Sequence, residues 1–351
     1  MSDITEALTE AVADACSRYP SSTKSAAGAE WNAPLWSALD QIGITLLSVP
    51  EEQGGSGGDL HAAAAVLRVL GQHCAAVPFA ETALQAAWLL GSCGAPIPEG
   101  PMTAAVGELH LSLVHESGDW MVDGEVARVP WARIADHLVV LTGSHVVTLR
   151  RDEFEVEPGT NVAGEPRDRV VIGGTALPAN RVHVRPAGSE LDERLFVARG
   201  VLGRMAMLAG AAQRSLEMSL TYASEREQFG RSLDKFQSVQ HQIAAMAGEV
   251  LLCRTVAESA AMALDEGRSW QLAIAAGKVS AAGAAGTVAK IAHQIHGAIG
   301  FTEEHDLRQC TTRIWSWRDE CGSARNWAEE VGTLTVAAGA NDVWALLSES
   351  G

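Results

Sequence analysis

The chain has 351 residues, with 26 lysines and arginines against 43 aspartates and glutamates, a net charge of −17 at pH 7. This length can bury a substantial core and accommodates two or three domains. The acidic balance argues against nucleic acid or an anionic membrane as partner. We expect no apolar run to reach membrane-spanning length. The N-terminus lacks a secretory pattern, and the six cysteines show no C-x-x-C or metal-finger spacing, so we expect a reduced, cytoplasmic protein.

Residues 1–100 predict an N-terminal helical domain. Alanine-rich segments without internal proline predict helices at Ile4–Cys16, Leu35–Gln41, Leu60–Gln72 and Glu81–Leu90. The glycine run 54–58 lacks both a following Lys-Ser/Thr pair and a strand–turn–helix context, which a phosphate-binding loop requires. We therefore interpret it as a flexible turn before the helix at Leu60.

Residues 101–187 predict a small middle domain that is β-barrel-like. Asp123-Gly124 lies between two apolar stretches and predicts a hairpin turn. Short runs rich in valine and leucine, separated by glycine, asparagine and proline, predict strands at His137–Leu141, His145–Leu149, Val170–Ala176 and Val182–Val184. The fold class is therefore α+β.

Residues 188–351 predict a C-terminal four-helix bundle, with helices at Leu191–Glu225, Asp234–Glu266, Trp270–His296 and Thr311–Leu347. Gly230 breaks the first helix, and Asp234 followed by Gln237 predicts an N-cap with its capping partner for the second. Apolar residues then recur at spacings of three and four along one face of that second helix, at Phe236, Val239, Ile243, Met246 and Val250.

Arg226 lies at the corner between the first two of these helices. Its planar guanidinium is suited to bidentate binding of phosphate. The alternative is a surface arginine paired with Glu225 or Glu227. The residue alone does not decide between the two.

Three motifs, in order along almost the whole chain, resemble the acyl-CoA dehydrogenase family. The first is N-terminal and runs from Leu35-Trp36 through Ile42-Gly43-Ile44 to Val49-Pro50 and the glycine run. The second is the family's R-x-Q-F-G corner with the F-Q-x-x-Q helix start, here Arg226-Glu-Gln-Phe229-Gly230 and Phe236-Gln237-Ser-Val-Gln240. The third is the Q-x-x-G-G-x-G-F/Y helix end, here Gln294-Ile-His-Gly297-Ala-Ile-Gly300-Phe301. The order helical, β, helical bundle is also the family's.

This resemblance implies an FAD-dependent enzyme that oxidises an acyl-CoA at Cα–Cβ, in fatty acid or steroid side-chain β-oxidation. In the family a carboxylate takes the α proton, and the β hydrogen leaves as hydride to the flavin. The family is tetrameric: one subunit holds the flavin ring through its β domain, and a neighbour's corner arginine and glycine turn hold the ADP part. Electron-transfer flavoprotein is a possible acceptor. The implied cofactor-binding residues are Arg226, Phe229, Gln237, Gln294, Gly297 and Gly300.

The two glycines also have a structural interpretation. Glycine lets backbone approach a ligand closely, but it equally ends a helix as a C-terminal cap. Both roles can be combined in one helix end.

The flavin-ring half of the site departs from the family pattern. The family's T/S-E-P-x-A-G-S-D loop corresponds to the stretch from Thr103 to Ser112, which lacks the G-S-D insertion. Where the family has an aromatic residue and then Ile-Thr/Ser-Asn, this chain has Arg128, Val129, Pro130 and Trp131. Pro130 has neither a hydroxyl nor an N–H to donate. We expect Trp131 to be a packing residue.

The position of the catalytic carboxylate also departs from the family pattern. The family's usual base position, counted from Phe301, falls on Cys321, and the alternative position, counted back from Arg226, falls on Gly200. Glu320 is one residue away from the first position, which rotates it by roughly 100° on a helix. We name Glu320 as the candidate base of this chain and an ordinary solvated helix carboxylate as its alternative interpretation.

Two further groups have weaker functional interpretations. His293 and His296 are three residues apart near a helix end but have no third ligand in the sequence, so we predict no metal site. We expect the tryptophans of the C-terminal segment to anchor the core and interfaces; they are Trp315, Trp317, Trp327 and Trp344.

Three functions remain open. The first is a subunit of a heteromeric acyl-CoA dehydrogenase, of the kind the family has among steroid-degrading enzymes, which supplies half of an FAD site to a paralogous partner. The second is a self-sufficient homo-oligomeric dehydrogenase that uses Glu320 as its base. The third is a flavin-free acyl-CoA-binding or scaffolding homologue.

Overall fold

A computed structural model describes residues 3–21, 30–114, 118–186, 191–267, 270–302 and 305–348. They form two compact units, one from residues within 1–25, 60–75 and 201–351, and one from residues within 26–59 and 76–200. The three-domain division at 1–100, 101–187 and 188–351 stays a prediction, and residues 187 and 188 lie outside the described residues.

The described residues contain helices at both ends of the chain and strands in the middle. The helices are α1 (Asp3–Arg18), α2 (Ala33–Ile42), α3 (Leu60–Gln72), α4 (Ala87–Ser92), α5 (Glu193–Glu225), α6 (Gln237–Glu266), α7 (Trp270–His296), α8 (Leu307–Trp317) and α9 (Ala324–Ser348). The strands are β1 (Met102–Val106), β2 (Leu109–Leu113), β3 (Trp120–Pro130), β4 (His137–Thr142), β5 (His145–Arg150), β6 (Glu155–Glu157), β7 (Arg167–Leu177), β8 (Val182–Val184), β9 (Glu227–Gln228) and β10 (Arg231–Ser232). The predicted α+β class is confirmed.

The strands before α5 form two four-stranded sheets, with strand orders β1-β4-β5-β8 and β2-β3-β7-β6. Their core consists of alternating valine, leucine and isoleucine side chains of both sheets, among them Val122, Val140, Val147, Val170 and Ile172. The four predicted strands correspond to β4, β5, β7 and β8, because short runs rich in valine and leucine fit the pleated surface of a buried sheet.

The predicted hairpin turn at Asp123-Gly124 is wrong. Both residues lie inside the continuous strand β3, and its pairing with β7 shifts register between Val122 and Gly124. Gly124 has a φ of 148°. The Asp-Gly pair therefore forms a β-bulge, in which glycine supplies a backbone conformation that other residues avoid.

The unit formed by residues within 1–25, 60–75 and 201–351, here called the helical unit, is organised around α6, α7 and the greater part of α5. At the crossing of α3 and α5 a side chain on Gly210 would overlap the backbone, since its Cβ would lie 1.9 Å from Arg68 O. Asp265 of α6 caps α3 by accepting hydrogen bonds from the backbone N–H groups of Leu60 (3.0 Å) and His61 (3.2 Å).

Three sequence-based helix predictions need correction. The segment predicted as an α-helix at Glu81–Leu90 begins as a buried π-helix, Ala80–Ala86, which runs into α4. Asp234 is not the N-cap of α6, because α6 begins at Gln237 after Phe236, and Asp234 lies in a short 3₁₀ helix, Leu233–Lys235. The predicted final helix is two helices, α8 and α9.

Two helical segments, Glu193–Glu225 and Trp270–Phe301, are long and apolar enough to cross a membrane. The expectation that no apolar run reaches that length is therefore wrong. Of their most apolar 18-residue windows, 89% and 67% are buried inside the protein, so packing in the core accounts for their composition.

Candidate functional site

The corner after α5 is a tight hairpin. Strands β9 and β10 pair antiparallel, with Gln228 opposite Arg231. The two residues between them, Phe229 and Gly230, have φ values of 53° and 77°. Positive φ at both central positions defines a type I′ turn, which normally selects Asn-Gly rather than a bulky first residue. The turn presents Phe229 with 94% of its surface exposed.

Arg226 is held at the base of this hairpin by its backbone. Its N–H donates to Tyr222 O (2.9 Å), and its carbonyl accepts from Leu233 N (2.9 Å). Its exposed side chain makes no hydrogen bond or ion pair with any residue that the structure describes. The alternative pairing with Glu225 or Glu227 is thus not formed, and the guanidinium faces solvent with its donors available.

The end of α7 forms the second part of the candidate site. Helix α7 ends at His296, and Gly297 follows with a φ of 63°, the left-handed conformation of a C-terminal cap. Apart from Gly297 itself and adjacent residues of the chain, no atom of the described residues lies within 4 Å of the position that a Cβ of Gly297 would occupy. The backbone at Gly297 is therefore accessible to a ligand as well as ending the helix.

Gly300 is buried within this chain instead. Its Cβ would lie 3.0 Å from Leu307 Cδ2 and 3.2 Å from His293 Nδ1. A larger residue would press on the start of α8, so Gly300 has a packing role whether or not a ligand binds beside it.

An aromatic contact brings the corner and the turn together. Tyr222, one helical turn before Arg226, stacks on His296 with ring centroids 4.6 Å apart. His296 directly precedes Gly297. The predicted residues Gln237 and Gln294 are both exposed, the first at the start of α6 and the second in the last turn of α7.

The two histidines of α7 have structural partners. His293 Nε2 lies 3.0 Å from Thr311 Oγ1, and its ring stacks on Phe301 with centroids 4.0 Å apart. His296 Nδ1 lies 2.8 Å from Ala292 O. Burial lowers the pKa of both histidines. Within the described ranges no group of three or more His, Cys, Asp or Glu side chains is arranged to hold a metal ion.

Glu320 is buried and ion-paired. Arg204 Nε donates to Glu320 Oε2 at 2.7 Å, and the two side chains are 5% and 9% exposed. The alternative interpretation of Glu320 as a solvated carboxylate is therefore wrong. Its carboxylate balances a buried guanidinium from α5, as a buried charge requires.

Lys278 of α7 holds the segment around Glu320, which follows α8; this segment is called the Glu320 corner below. Its fully buried Nζ donates to Trp317 O (3.0 Å) and Glu320 O (2.8 Å), the carbonyls at and just beyond the end of α8. Desolvation lowers the pKa of Lys278 from 10.5 to about 8. Trp327 Nε1 donates to Cys321 O at 2.9 Å, so the backbone around the family's usual base position is held from two sides.

The positions aligned with the flavin-ring contacts are occupied by this chain's own packing. Pro130 ends β3, and its carbonyl accepts from Thr103 Oγ1 at 2.5 Å. Trp131 is 4% exposed, which confirms it as a packing residue. Only Gly107 and Glu108 separate β1 from β2, so no loop extends there.

Sequence reasoning missed Arg204 and Lys278. Each is a basic residue within an otherwise apolar, alanine-rich part of its helix. A charge on a helix face that packs in the core must have a partner, and this signal was available from the sequence. The identity of the partner was not.

Solved structures with the same fold include a butyryl-CoA dehydrogenase and one chain of a complex of two proteins. Butyryl-CoA dehydrogenase from Megasphaera elsdenii matches with a TM-score of 0.86 and 19% identity, over 96% of this chain and 99% of that chain. A chain of the ChsE4-ChsE5 complex from Mycobacterium tuberculosis matches with a TM-score of 0.84 and 22% identity, over 97% and 99%.

Sequence comparison agrees with the fold. The N-terminal domain of acyl-CoA dehydrogenases matches residues 2–96, and their C-terminal domain matches residues 193–318, together more than half of the chain. The acyl-CoA dehydrogenase IpdE2 of Mycolicibacterium smegmatis is 29% identical over 315 residues, which cover 88% of this chain and 91% of that protein. The chain belongs to the acyl-CoA dehydrogenase family, whose oxidoreductase chemistry uses FAD.

Proposed function

We propose that this chain is a subunit of a heteromeric acyl-CoA dehydrogenase and that it supplies half of an FAD site to a paralogous partner chain. The observation that carries this proposal is the exposed side chain of Arg226 at the base of the hairpin whose turn exposes Phe229. An arginine that makes no hydrogen bond or ion pair with the described residues, at the base of a tight hairpin, has its donors available for an anion from outside the chain.

The residues around Arg226 fit the ADP part of FAD. The guanidinium can bind pyrophosphate through two N–H groups, and the exposed amides of Gln237 and Gln294 can hydrogen-bond phosphate or adenine. The open backbone at Gly297 permits close approach. When bound, FAD supplies the acceptor for the two electrons removed from the acyl-CoA.

The chain's own flavin-ring half does not fit in the same way. Pro130 offers no donor, Trp131 is buried, and the link between β1 and β2 has only two residues. The partner chain would therefore hold the flavin ring and provide the base, and Glu320 would have a structural role. The ChsE4-ChsE5 complex, a chain of which has this fold, is a precedent for assembly with a second protein.

Exposed apolar side chains of the helical unit support assembly with other chains. They include Val336 and Trp344 of α9, 81% and 76% exposed, and Leu251 of α6, 63% exposed. Burying them in a tetramer would remove apolar surface from water. We further propose an acyl-CoA thioester as substrate, a fatty acid or steroid side chain as its acyl part, electron-transfer flavoprotein as acceptor, and the cytoplasm as location.

The proposal is tested by the flavin absorbance of the chain purified alone and together with the paralogue from a neighbouring gene. We expect the chain alone to retain little FAD. We expect the heteromer, co-purified and with its mass determined by light scattering, to contain FAD. A chain that binds FAD stoichiometrically and bleaches it with acyl-CoA by itself would support the homo-oligomeric function. A flavin-free chain that still binds acyl-CoA with every paralogue tested would support the scaffolding function.

The substitution Arg226→Ala in the heteromer tests the contribution of Arg226 to FAD binding. A hydrogen bond to a charged group contributes roughly 1.5–3 kcal/mol, so FAD retention should fall at least about tenfold. Arg254→Ala is a matched control, because Arg254 is an exposed arginine of α6 that pairs with Glu258. Equal FAD affinity of the two folded variants would remove Arg226 from the site.

A further inference from the structure

A surface pocket of about 230 Å³ lies in the helical unit, and neither Arg226 nor Gly297 lines it. Its walls come from the end of α1, the end of α3, α5 and α8, and three cysteines line it, Cys16, Cys74 and Cys310. All six cysteines belong to the described part of the chain, and all are thiols.

Two of these thiols are in direct contact. Cys74 Sγ lies 3.3 Å from Cys310 Sγ, and both residues are buried apart from the wall that they share with the pocket. A disulfide has an S–S distance of about 2.05 Å, so the sulfurs must approach by little more than about 1 Å. Cys74 lies just beyond α3 with a φ of 49°, so it is positioned by a turn rather than by the helix.

We propose that Cys74 and Cys310 form a reversible dithiol–disulfide site that is oxidised by a hydroperoxide entering this pocket. One sulfur, as thiolate, attacks a peroxide oxygen and breaks the O–O bond, which gives a sulfenic acid and hydroxide; the hydroxide takes up the proton released from that thiol. The second sulfur attacks the sulfenic sulfur, its proton leaves with the departing hydroxide as water, and the S–S bond forms. The two sulfurs lose two electrons, and the peroxide becomes two waters, or water and an alcohol.

The surroundings of Cys74 and Cys310 make the reaction of their thiols with peroxide slow. The hydrogen bond with Cys74 and burial raise the pKa of Cys310 well above its usual value, against the opposing effect of Arg313 and Arg214. Burial raises the pKa of Cys16 to about 12. Because the thiolate is the reactive form, oxidation requires peroxide in excess and proceeds at the pair that can trap a sulfenic acid at once.

The disulfide would connect the end of α3 to α8 across 236 residues of chain. A link that closes so long a loop restricts the unfolded chain strongly. It would also fix the first turn of α8, which contains Cys310. The same turn begins at Leu307, whose side chain lies beside the buried Gly300. The oxidised chain should therefore unfold at a higher temperature than the reduced chain. This inference does not depend on the heteromeric function.

Titration of the reduced full chain with hydrogen peroxide, followed by alkylation and peptide mass mapping, tests the site. We expect a mass loss of about 2 Da per chain, a peptide containing Cys74 cross-linked to one containing Cys310, and reversal by dithiothreitol. Cys74→Ser and Cys310→Ser should each abolish the cross-link and the rise in unfolding temperature. Cys253→Ser, which removes a buried thiol outside the pocket, should leave both unchanged.

Wild-type mapping alone decides the question if either serine variant fails to fold. Cys74 and Cys310 that both remain alkylatable after peroxide treatment would overturn the proposal. A cross-link from either residue to Cys16, or oxidation of each to sulfinic acid without a cross-link, would overturn it equally.

Discussion

Arg204 and Glu320 form a buried ion pair at 2.7 Å, between α5 and the corner that follows α8. Removing one partner of such a pair leaves an uncompensated charge and typically costs about 3–5 kcal/mol. Protonation of Glu320 during a reaction would remove the same charge. A carboxylate with this partner is a poor choice for a group that must accept a proton in every turnover.

Glu320→Gln should therefore lower the stability of the chain. Glutamine keeps the shape and one acceptor oxygen but leaves the Arg204 charge unbalanced, so we expect a loss of up to about 3 kcal/mol in the free energy of unfolding. Glu329→Gln serves as control, because Glu329 pairs with Arg325 on the surface, where such pairs contribute about 1 kcal/mol or less. Denaturant unfolding that gives the same small loss for both variants would contradict the buried pair.

The same variant should remain catalytically competent in the heteromer. Loss of a positioned base costs about 10²–10⁴ in rate, whereas loss of a structural ion pair in a folded complex should change the rate by a few-fold. Stopped-flow bleaching of the flavin by acyl-CoA measures the step directly. A trace in which Glu320→Gln binds substrate but abolishes bleaching would make Glu320 the base and this chain a catalyst in its own right.

Lys278 should make stability rise with pH above neutrality. Its pKa is about 8 in the folded chain and 10.5 when unperturbed, so below pH 8 the folded chain buries a charged ammonium at a cost. Between pH 8 and 10.5 the folded state has released this proton and the unfolded state retains it, so stability increases, by about 3 kcal/mol in total. Lys278→Met should remove this rise, and the difference between the two unfolding curves across this pH range measures it. A constant difference would show that the folded pKa is not lowered.

Two substitutions at Phe229 distinguish the effect of its ring on FAD binding from the effect of its backbone conformation on stability. A left-handed conformation costs a residue with a Cβ roughly 1–2 kcal/mol, whereas glycine adopts it freely. Phe229→Gly should therefore be more stable than Phe229→Ala by about 1 kcal/mol, while both lose the ring. If the ring contacts FAD, both variants should lower FAD retention in the heteromer to a similar extent. Retention that follows stability instead would assign Phe229 to the turn alone.

The sequence predicted the fold well because its signals are local. Helix α3 and helix α7 begin and end where the alanine-rich segments do, and β8 matches its prediction at both ends. The errors occur where distant contacts override local patterns. Asp123-Gly124 is a strong turn signal, but β7 pairs along the whole of β3 and converts it into a bulge. The π-helix at Ala80–Ala86 has the same composition as an α-helix, and helical periodicity alone does not distinguish the two.

The candidate site was predicted less completely. The motifs identified the corner and the turn, but the stacking of Tyr222 on His296, which brings them together, joins residues 74 positions apart in the chain. The role of Glu320 depends on Arg204, which lies 116 residues earlier. The spacing of the motifs identifies Glu320, but its partner Arg204 is known only from the packing of α5 against the segment that follows α8.

The burial of Lys278 has a chemical consequence for the proposed use of an acyl-CoA thioester as substrate. Only four of the 351 residues are lysines, and the lowering of the pKa of Lys278 to about 8 leaves more of its amine unprotonated, and therefore nucleophilic, near neutral pH. Lys278 has no solvent exposure, so a thioester carbonyl does not reach its nitrogen, whereas Lys235 and Lys290 are exposed. Prolonged incubation with a reactive acyl-CoA should therefore acylate Lys235 and Lys290 by spontaneous transfer and spare Lys278, although the pKa of Lys278 is lowered. Acylation of Lys278 in the folded chain would mean that the corner at Glu320 opens on the timescale of that chemistry.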